Sequence, residues 1–300
     1  MRKVLILTQK KGWHYYQLKN SFEKSGFVVV SADLEDLSIK ITNLTIDINK
    51  FINNFSDVTD VFVRHVPGGS LEEVVHSLNI LKIFQEKNIN IMNTSEHIET
   101  TVDKSMTSVK LKQASILTPN TWVLRGKEKS IQTVKNILEK HPLIYKPLFG
   151  SQGDNIVKIN SLKDFENIDN HNNIFYLQEF LETSPSHDYR VLVIKKNNHK
   201  YIYSMMRLGK NYINNISKGA ECIPVKPDSD IIDTAIKSVE AINIPFSGVD
   251  IIKHQGKNYV IEMNSVPAWR GIQSLYKQKI SDYIVKVFAE NNKVNIALQK

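Results

Sequence analysis

The chain has 300 residues, a net charge of +8 and a single cysteine, Cys222. This length allows two or three domains with a sizeable core, and one cysteine excludes an intrachain disulfide and suits a reducing compartment. The apolar run at the amino terminus is too short for a signal peptide, and no stretch reaches the ~20 apolar residues of a membrane span. We therefore expect a soluble cytoplasmic protein with no membrane partner.

The positive charge favours an anionic partner without identifying it. The lysines are scattered along the chain rather than gathered in a tract. Anionic small molecules therefore fit at least as well as nucleic acid, which would need clustered basic and aromatic residues. The sequence leaves open whether the chain is a monomer or a homo-oligomer.

The first third of the chain alternates short apolar runs with amphipathic stretches. We predict strands over residues 4–7, 27–31, 60–65 and 89–93, and helices over residues 15–26 and 71–88. This alternation is typical of an α/β unit with a parallel sheet. We therefore assign residues 1–94 to an N-terminal α/β domain.

The remainder also contains both kinds of element. We predict helices over residues 103–115, 128–141, 230–242 and 274–291, and strands over residues 143–147, 175–182, 188–194 and 200–207. We assign residues 95–180 to a central domain and residues 181–300 to a C-terminal domain.

A β-hairpin is predicted for residues 248–264, GVDIIKHQGKNYVIEMN. Centring its turn on Gly256 places Asp250 opposite Glu262, and strand alternation puts Asn264 on the same face as Glu262. Two facing carboxylates repel, and a hard divalent cation, which prefers oxygen ligands, removes that repulsion. The three residues alone leave open a solvated acidic face.

A phosphate-binding segment is indicated where the predicted strand over residues 143–147 ends. Lys146 is followed by the turn Gly150-Ser151-Gln152-Gly153. The lysine supplies positive charge, and the bare N–H groups of a glycine-rich turn line an anion-binding concavity. A plain hairpin turn is the alternative.

Other basic residues have both a simple and a functional interpretation. Lys104 begins a predicted helix and, alone, is a solvated helix lysine. Asp188 and Arg190 share one strand face, and Arg207 lies on the next predicted strand. Arginine suits bidentate contact with carboxylate or phosphate, but each arginine alone is equally consistent with an exposed strand residue.

The order of these motifs resembles the ATP-grasp superfamily, and within it the RimK-type carboxylate–amine ligases. The matching segments, from Asp103 to Gln273, are DK, YKPLFGSQGDNI, LQEFLE, DYR, SMMR, NNISKGA, GVDII and IEMNSVPAW. Their joint order and spacing are far more specific than any one of them. The resemblance implies an ATP-grasp fold of the α/β and α+β classes, in which central and C-terminal domains clasp ATP behind an N-terminal parallel α/β domain.

The resemblance also assigns nucleotide-binding roles. Lys104 and Lys146 would contact the ATP phosphates, and Gly150, Ser151, Gln152 and Gly153 would form a mobile flap over them. The interdomain linker around adenine would comprise Gln178, Glu179, Phe180 and Leu181, with Asp188 near the ribose. The cofactors implied are ATP and two Mg²⁺ (or Mn²⁺) ions held by Asp250, Glu262 and Asn264.

Catalytic and substrate roles follow from the same resemblance. Arg207 would stabilise the γ-phosphate and an acyl phosphate, with Arg190 beside the substrates. The residues expected to face the substrates are Asn215, Ser265, Trp269 and Arg270. The segment VPAWRG departs from the small-residue Pro-Gly that often follows the metal ligands in RimK-type proteins. A VPAW segment occurs in relatives linked to tetrahydromethanopterin metabolism, and Trp269 is expected to stack on a planar substrate, with core packing as the alternative.

The activity implied is ATP-dependent amide formation through an acyl phosphate, adding glutamate or another amino acid to an anionic small molecule. The partners are thus a small carboxylate and an amino acid. The alternatives are an ATP-grasp phosphotransferase or carboxylase-type enzyme, a non-catalytic nucleotide-binding regulator, and a basic nucleic-acid-binding module.

Overall fold

The computed structural model describes residues 1–43, 45–50, 53–55, 57–150, 153–170 and 172–290. The N-terminal elements are β1 (Lys3–Leu7), α1 (Trp13–Lys24), β2 (Val28–Ala32), β3 (Leu37–Ile41), β4 (Ile46–Lys50), β5 (Asn53–Asn54), β6 (Asp60–Val63), α2 (Leu71–Glu86) and β7 (Asn90–Met92). A parallel sheet with strand order β2-β1-β6-β7 confirms the predicted α/β unit. A separate antiparallel sheet of β3, β4 and β5 was not predicted.

Two helices lead from this unit to the rest of the chain, α3 (Ser95–Val102) and α4 (Lys104–Gln113). Asp103 separates them and caps α4, because its carboxylate accepts hydrogen bonds from the backbone N–H groups of Ser105 (2.8 Å) and Met106 (3.0 Å). A side-chain cap of this kind satisfies N–H groups that the helix itself leaves free. The cap fixes Lys104 in the first turn of α4.

The central part of the chain forms a four-stranded antiparallel sheet in the order β10-β9-β11-β8. Its elements are β8 (Thr121–Arg125), α5 (Lys127–Leu138), β9 (Leu143–Lys146), β10 (Val157–Ile159), α6 (Leu162–Glu166) and β11 (Ile174–Glu179). The helices α5 and α6 cover one face of this sheet through buried apolar side chains such as Val134 and Phe165. The short strands β8 and β10 were not predicted.

The last part forms a five-stranded antiparallel sheet in the order β14-β13-β12-β15-β16. Its elements are β12 (His187–Lys196), β13 (His199–Leu208), β14 (Glu221–Ile223), α7 (Ser229–Ile242), β15 (Phe246–His254), β16 (Lys257–Asn264), α8 (Arg270–Gln273) and α9 (Ile280–Ala289). The three larger sheets each lie within one predicted domain, whose boundaries stay predictions. No helix among the described residues has the length and apolarity that crossing a membrane requires.

One apolar cluster joins the first and last parts of the chain. It contains side chains from one face of the parallel sheet, from α1, from α9 and from the five-stranded sheet. Phe22 of α1 and Phe288 of α9 meet with ring centroids 5.3 Å apart, and the buried Ser21 hydroxyl hydrogen-bonds to Ser281 (2.8 Å). The two sheets therefore share a core and hold a fixed orientation.

Candidate active site

The predicted hairpin is present as β15 and β16. Asp250 pairs directly with Glu262, as predicted, and a bulge follows Asp250. Gly256 in the turn has φ +74°, a conformation that glycine adopts without strain. Directly opposite residues of an antiparallel pair share one face of the sheet, so both carboxylates lie on the same side.

A row of charged side chains crosses this sheet from β13 to β16. Asp188 pairs with Arg207, and Arg190 pairs with Asp250. Arg207 donates to both carboxylate oxygens of Asp188 (2.6 and 2.7 Å) and to Asp250 (2.7 Å). Arg190 binds Asp250 through two further hydrogen bonds, one of them 2.6 Å. These four side chains are at least 90% buried.

Burial and ion pairing have opposite effects on the pKa values of Asp188, Arg207 and Asp250. Burial raises the pKa of Asp250, but Arg190 and Arg207 outweigh it and hold that pKa below its usual value. Burial raises the pKa of Asp188, which has one guanidinium partner, Arg207. The two carboxylates in turn raise the pKa of Arg207, against the effect of burial. Asp250 is therefore ionised, with its charge already compensated.

Glu262 differs from Asp250 because it has no such compensation. It is half-buried, lines the adjoining cleft, and makes no side-chain hydrogen bond to any described residue. Asn264 lies further along the same strand, and its amide oxygen accepts a hydrogen bond from the backbone N–H of Val266 (3.0 Å). A carbonyl oxygen has two lone pairs, so this oxygen can accept a further contact.

These oxygen atoms fit a hard divalent cation in their chemistry, since they are two carboxylates and an amide. The described residues contain no cluster of three or more His, Cys, Asp or Glu side chains arranged for a metal. A metal at this place would therefore need the Asn264 oxygen, or oxygens from a bound ligand, beside Asp250 and Glu262. Assignment of these three residues as metal ligands stays a prediction.

Lys146 lies across the cleft from this row. Its ammonium group donates to the Gln178 side-chain oxygen (2.8 Å) and to the backbone oxygen of Ile261 (3.3 Å), next to Glu262. Burial lowers the pKa of Lys146 to about 8, and nearby Lys104 acts in the same direction, while Glu262 opposes it. The site therefore contains a buried cation without a carboxylate partner among the described residues, as phosphate binding requires.

Lys104 is the second cation at this end of the cleft. Its ammonium group donates to the backbone oxygens of Gly150 (3.0 Å) and Leu148 (3.3 Å). Burial lowers its pKa, although Glu262 and Asp103 raise it. Lys104 thus holds the first part of the glycine-rich turn against α4.

The second part of that turn lies against the segment that follows β13. Gly153 has φ +76°, and a Cβ atom there would come within 2.8 Å of the Asn215 amide oxygen. The positive φ favours glycine at this position, and any side chain there would have to displace the Asn215 amide. Ser151 and Gln152 fall outside the described residues.

The predicted linker follows β11 and lines the same cleft. The Gln178 side chain is committed to Lys146, and Glu179 accepts a hydrogen bond from Asn120 (2.7 Å). Phe180 has the Lys158 ammonium group 4.0 Å from its ring centroid, and Leu181 is buried. Phe180 and Leu181 therefore make this end of the cleft apolar, which suits the binding of a flat heterocycle.

These elements enclose one cleft of about 390 Å³, a size within the usual range for small-molecule sites. The predicted site residues that line it are Lys104, Lys146, Gly150, Gly153, Gln178, Glu179, Phe180, Leu181, Asp188, Arg207, Asn215, Asp250 and Glu262. Arg190 lies just behind, on Asp250. Tyr212, Asn214 and Ser186 also line the cleft and were not predicted, because an asparagine-rich loop has no spacing that indicates a site.

The expectation that Trp269 stacks on a substrate is wrong. Its side chain is fully buried in the shared core, with ring centroids 4.5 Å from His14 and 6.0 Å from Phe246. The chain leaving β16 turns back between the two sheets, and the large ring fills the space between them. Core packing, the alternative interpretation, explains this residue.

Replacing Trp269 by Leu should lower the free energy of unfolding by about 2–3 kcal/mol, somewhat less than a full truncation to alanine. Because no substrate can reach the ring, the KM for ATP should stay unchanged in protein that is still folded. Urea unfolding and steady-state kinetics measure the two effects. A selective rise in acceptor KM without loss of stability would restore the stacking role.

The two remaining predicted substrate residues lie outside the cleft. Ser265 is buried, and its backbone oxygen accepts a hydrogen bond from the Asn93 side chain (2.6 Å). Arg270 is exposed at the start of α8. Their roles as substrate residues stay predictions. The hydrogen bond between Asn93 and Ser265 places the end of β16 in contact with the end of β7.

Comparison with known proteins identifies the family. The model of the RimK-like ATP-grasp domain matches residues 101–288, which include every cleft residue named above. The chain belongs to the RimK-like ATP-grasp family. It is an ATP-dependent ligase that forms a carbon–nitrogen bond, and the predicted fold class and activity are confirmed.

Individual RimK-like and related proteins cover almost the whole chain. The tetrahydromethanopterin:alpha-L-glutamate ligase of Methanococcus maripaludis is 25% identical over 292 residues, covering 93% of this chain and 95% of that protein. The alpha-aminoadipate–LysW ligase LysX of Saccharolobus solfataricus is 24% identical over 291 residues, covering 93% and 98%. A RimK domain ATP-grasp protein from Sphaerobacter thermophilus superposes with a TM-score of 0.74 at 14% identity, covering 95% and 98%, and shows the shared fold.

Proposed function

We propose that this ligase joins an amino acid, with glutamate as the first candidate, to a carboxylate on an anionic small molecule. The observation that carries the proposal is the cleft itself, in which the buried Lys146 and the half-buried Lys104 face a sheet that presents Arg207 and Glu262. Such a site can hold ATP phosphates on one side and a reacting carboxylate on the other.

The reaction is two successive displacements. An oxygen of the substrate carboxylate attacks the γ-phosphorus, the bond to the β-phosphate oxygen breaks, and ADP leaves. The amine nitrogen then attacks the acyl carbon, phosphate leaves with the C–O bond electrons, and the nitrogen loses a proton. Both steps need charge stabilisation and exclusion of water more than covalent participation by the protein.

The residues of the chain have distinct parts in this scheme. Lys146 and Lys104 bind phosphate oxygens, and Gly150–Gly153 cover them. Arg207 offsets the charge on the transferring phosphoryl group, while Arg190 orients Asp250. Asp250, Glu262 and Asn264 would hold two Mg²⁺ (or Mn²⁺) ions, which supply charge neutralisation at the phosphates.

The substrate class is supported from two directions. Relatives covering nearly the whole chain are ligases for tetrahydromethanopterin, coenzyme F420 and LysW, and the first two carry glutamate in their names. The net charge of +8 favours anionic ligands. A tetrahydromethanopterin-type acceptor is therefore the first to test.

The deciding experiment is a screen of ADP release with amino acids paired against carboxylate acceptors, with products read by mass spectrometry. We expect ADP release that needs both partners and an amide product heavier by one amino-acid residue. A phosphorylated acceptor without an amide would identify a phosphotransferase, and ADP binding without turnover on any pair would identify a regulator.

The pH dependence of nucleotide binding tests Lys146. Because its pKa in the free protein is about 8, the ammonium form that binds phosphate predominates below that pH and is lost above it. The affinity for Mg·AMPPNP should therefore fall as pH rises through about 8, and the pKa should be higher in the complex.

Two variants isolate this effect in calorimetry. Lys146→Met should weaken Mg·AMPPNP binding by about ten- to hundredfold at pH 7, since a charge-assisted contact is lost. Lys146→Arg should retain binding and flatten the profile above pH 8, because arginine stays protonated. An unchanged profile in Lys146→Arg would assign the titration to another group.

A further inference from the structure

A second cationic position lies outside the cleft, where the parallel sheet meets the end of β16. Arg64 directly follows β6, and its backbone N–H donates to the oxygen of Leu7 (2.8 Å), the last residue of β1. It therefore lies at the carboxyl edge of the parallel sheet, the edge where open α/β sheets bind ligands. Arg64 lies in none of the sequence motifs.

Arg64 is held by contacts that leave its charge uncompensated. One terminal nitrogen donates to the backbone oxygen of Val266 (3.0 Å), and the guanidinium carbon lies 5.4 Å from the centroid of the Trp269 ring. Its Nε is buried and has no hydrogen-bond partner among the described residues, and the side chain forms no ion pair with any of them. Burial lowers its pKa to about 10.

The other buried arginines of the chain are all paired. Arg190 and Arg207 bind Asp250 and Asp188, and the partly buried Arg2 binds Asp60. A half-buried guanidinium without a carboxylate is unfavourable unless an anion completes it. The contrast points to a ligand rather than to a structural role for Arg64.

The surroundings of Arg64 are positive and contain no described acid. The His14 ring accepts a hydrogen bond from the Trp269 backbone N–H (3.1 Å) and is neutral. Burial and, in the same direction, the positive charges of Arg64 and Arg270 lower the pKa of His14 to about 3. Both guanidinium groups therefore lie near the His14 ring. Gly12 offers no side-chain cap to the first turn of α1.

This position is connected to the reaction centre by two hydrogen bonds. Arg64 donates to the backbone oxygen of Val266, and the backbone N–H of Val266 donates to the side chain of Asn264. Asn93, at the end of β7, donates to the backbone oxygens of Ser265 and Phe246 (2.6 and 2.7 Å) and fixes the same junction. Arg64 and Asn264 are therefore separated only by the backbone of Val266.

We propose that Arg64, with Arg270 nearby, binds a carboxylate of an organic substrate that does not itself react. This inference rests on the proposed ligase function and specifies it, since one substrate must then carry a second carboxylate. That group belongs either to the amino acid, as in glutamate, or to the acceptor. Both sources offer the same bidentate chemistry to a guanidinium fork.

Calorimetry on the full chain distinguishes the two sources. L-glutamate and tetrahydromethanopterin are titrated separately into protein saturated with Mg·AMPPNP. In Arg64→Met we expect about ten- to hundredfold weaker binding of one of the two probes, with Mg·AMPPNP affinity within about twofold of wild type. Arg64→Lys should recover part of the loss, and Arg125→Met, at an exposed arginine of β8, should have no effect.

Thermal unfolding without ligand separates a binding role from a structural one. Removing an uncompensated charge should leave the Tm of Arg64→Met equal to or above that of wild type. A Tm lower by several degrees, unchanged affinity for both probes, or no binding of either probe by wild type would each overturn the assignment. Binding that depends on Arg64 without any amide product would instead overturn the proposed function and leave the anion site standing.

Discussion

Replacing Glu262 by Gln should reduce ADP release by about a hundredfold or more at saturating Mg²⁺, while the Tm stays within about two degrees of wild type. Glu262 lines the cleft, and its side chain makes no hydrogen bond to any described residue, so its charge contributes little to the fold. Its proposed contribution is to the metal that neutralises the phosphates, and glutamine is a poorer ligand for a hard cation.

The experiment measures ADP release against Mg²⁺ concentration and compares Glu262→Gln with Glu221→Gln. Glu221 is exposed on β14 of the same sheet and serves as the matched control. We expect the Mg²⁺ requirement of Glu262→Gln to rise steeply and that of the control to stay unchanged. Full activity at ordinary Mg²⁺ in Glu262→Gln would remove this residue from the metal site.

Replacing Asp250 by Asn should have a different result, with loss of both activity and stability. Asp250 is the shared partner of Arg190 and Arg207, and removing its charge leaves two buried guanidinium groups with one carboxylate, Asp188. Breaking a buried pair in this way lowers the free energy of unfolding by about 3–5 kcal/mol. ADP release should fall by at least about a hundredfold, since the site also loses a proposed metal ligand.

The double variant Asp250→Asn/Arg190→Met provides the control for stability. It restores one guanidinium for one carboxylate, and we expect it to regain most of the lost free energy of unfolding without regaining activity. Equal stability of the single and double variants, measured by urea unfolding, would show that charge balance is not the cause.

The pH dependence of the same comparison has a defined sign. The pKa of Asp250 is lowered in the folded state, so its stabilising contribution is complete above the unfolded value of about 4 and is lost as pH falls below it. The difference in unfolding free energy between wild type and Asp250→Asn should therefore be constant near neutrality and shrink in acid.

The parts of the fold that were predicted correctly are those with strong local signals. The run DVFV of β6 is fully buried and was found from its apolar character alone. The strands β3 and β4 were missed although both alternate apolar with polar residues, which is a pattern typical of half-buried strands. The strand β5 consists of two asparagines, a residue type that strands disfavour.

In the candidate site, contacts within one hairpin could likewise be predicted, whereas contacts between strands far apart in the chain could not. The turn at Gly256 was found from the sequence, but it pairs His254 with Lys257, and the predicted pairing of Asp250 with Glu262 also needs the bulge after Asp250, which was not predicted. The pairing of Arg190 with Asp250 depends on strands 60 residues apart, which no local pattern specifies. Arg64 lacks any motif, and Trp269 was misassigned because an aromatic residue beside a motif has no pattern that separates core from surface.

The shared core of α1 and α9 also constrains how the protein is made. The parallel sheet is complete once residue 92 has been synthesised, but α9, which packs against α1 and one face of that sheet, begins at residue 280. At translation rates of ~5–20 residues per second, that interval lasts roughly 10–40 s. During this time Phe22 and Phe62 contact each other but lack the cover of Phe288, so we expect this apolar face of the nascent N-terminal region to stay exposed until the last helix leaves the ribosome.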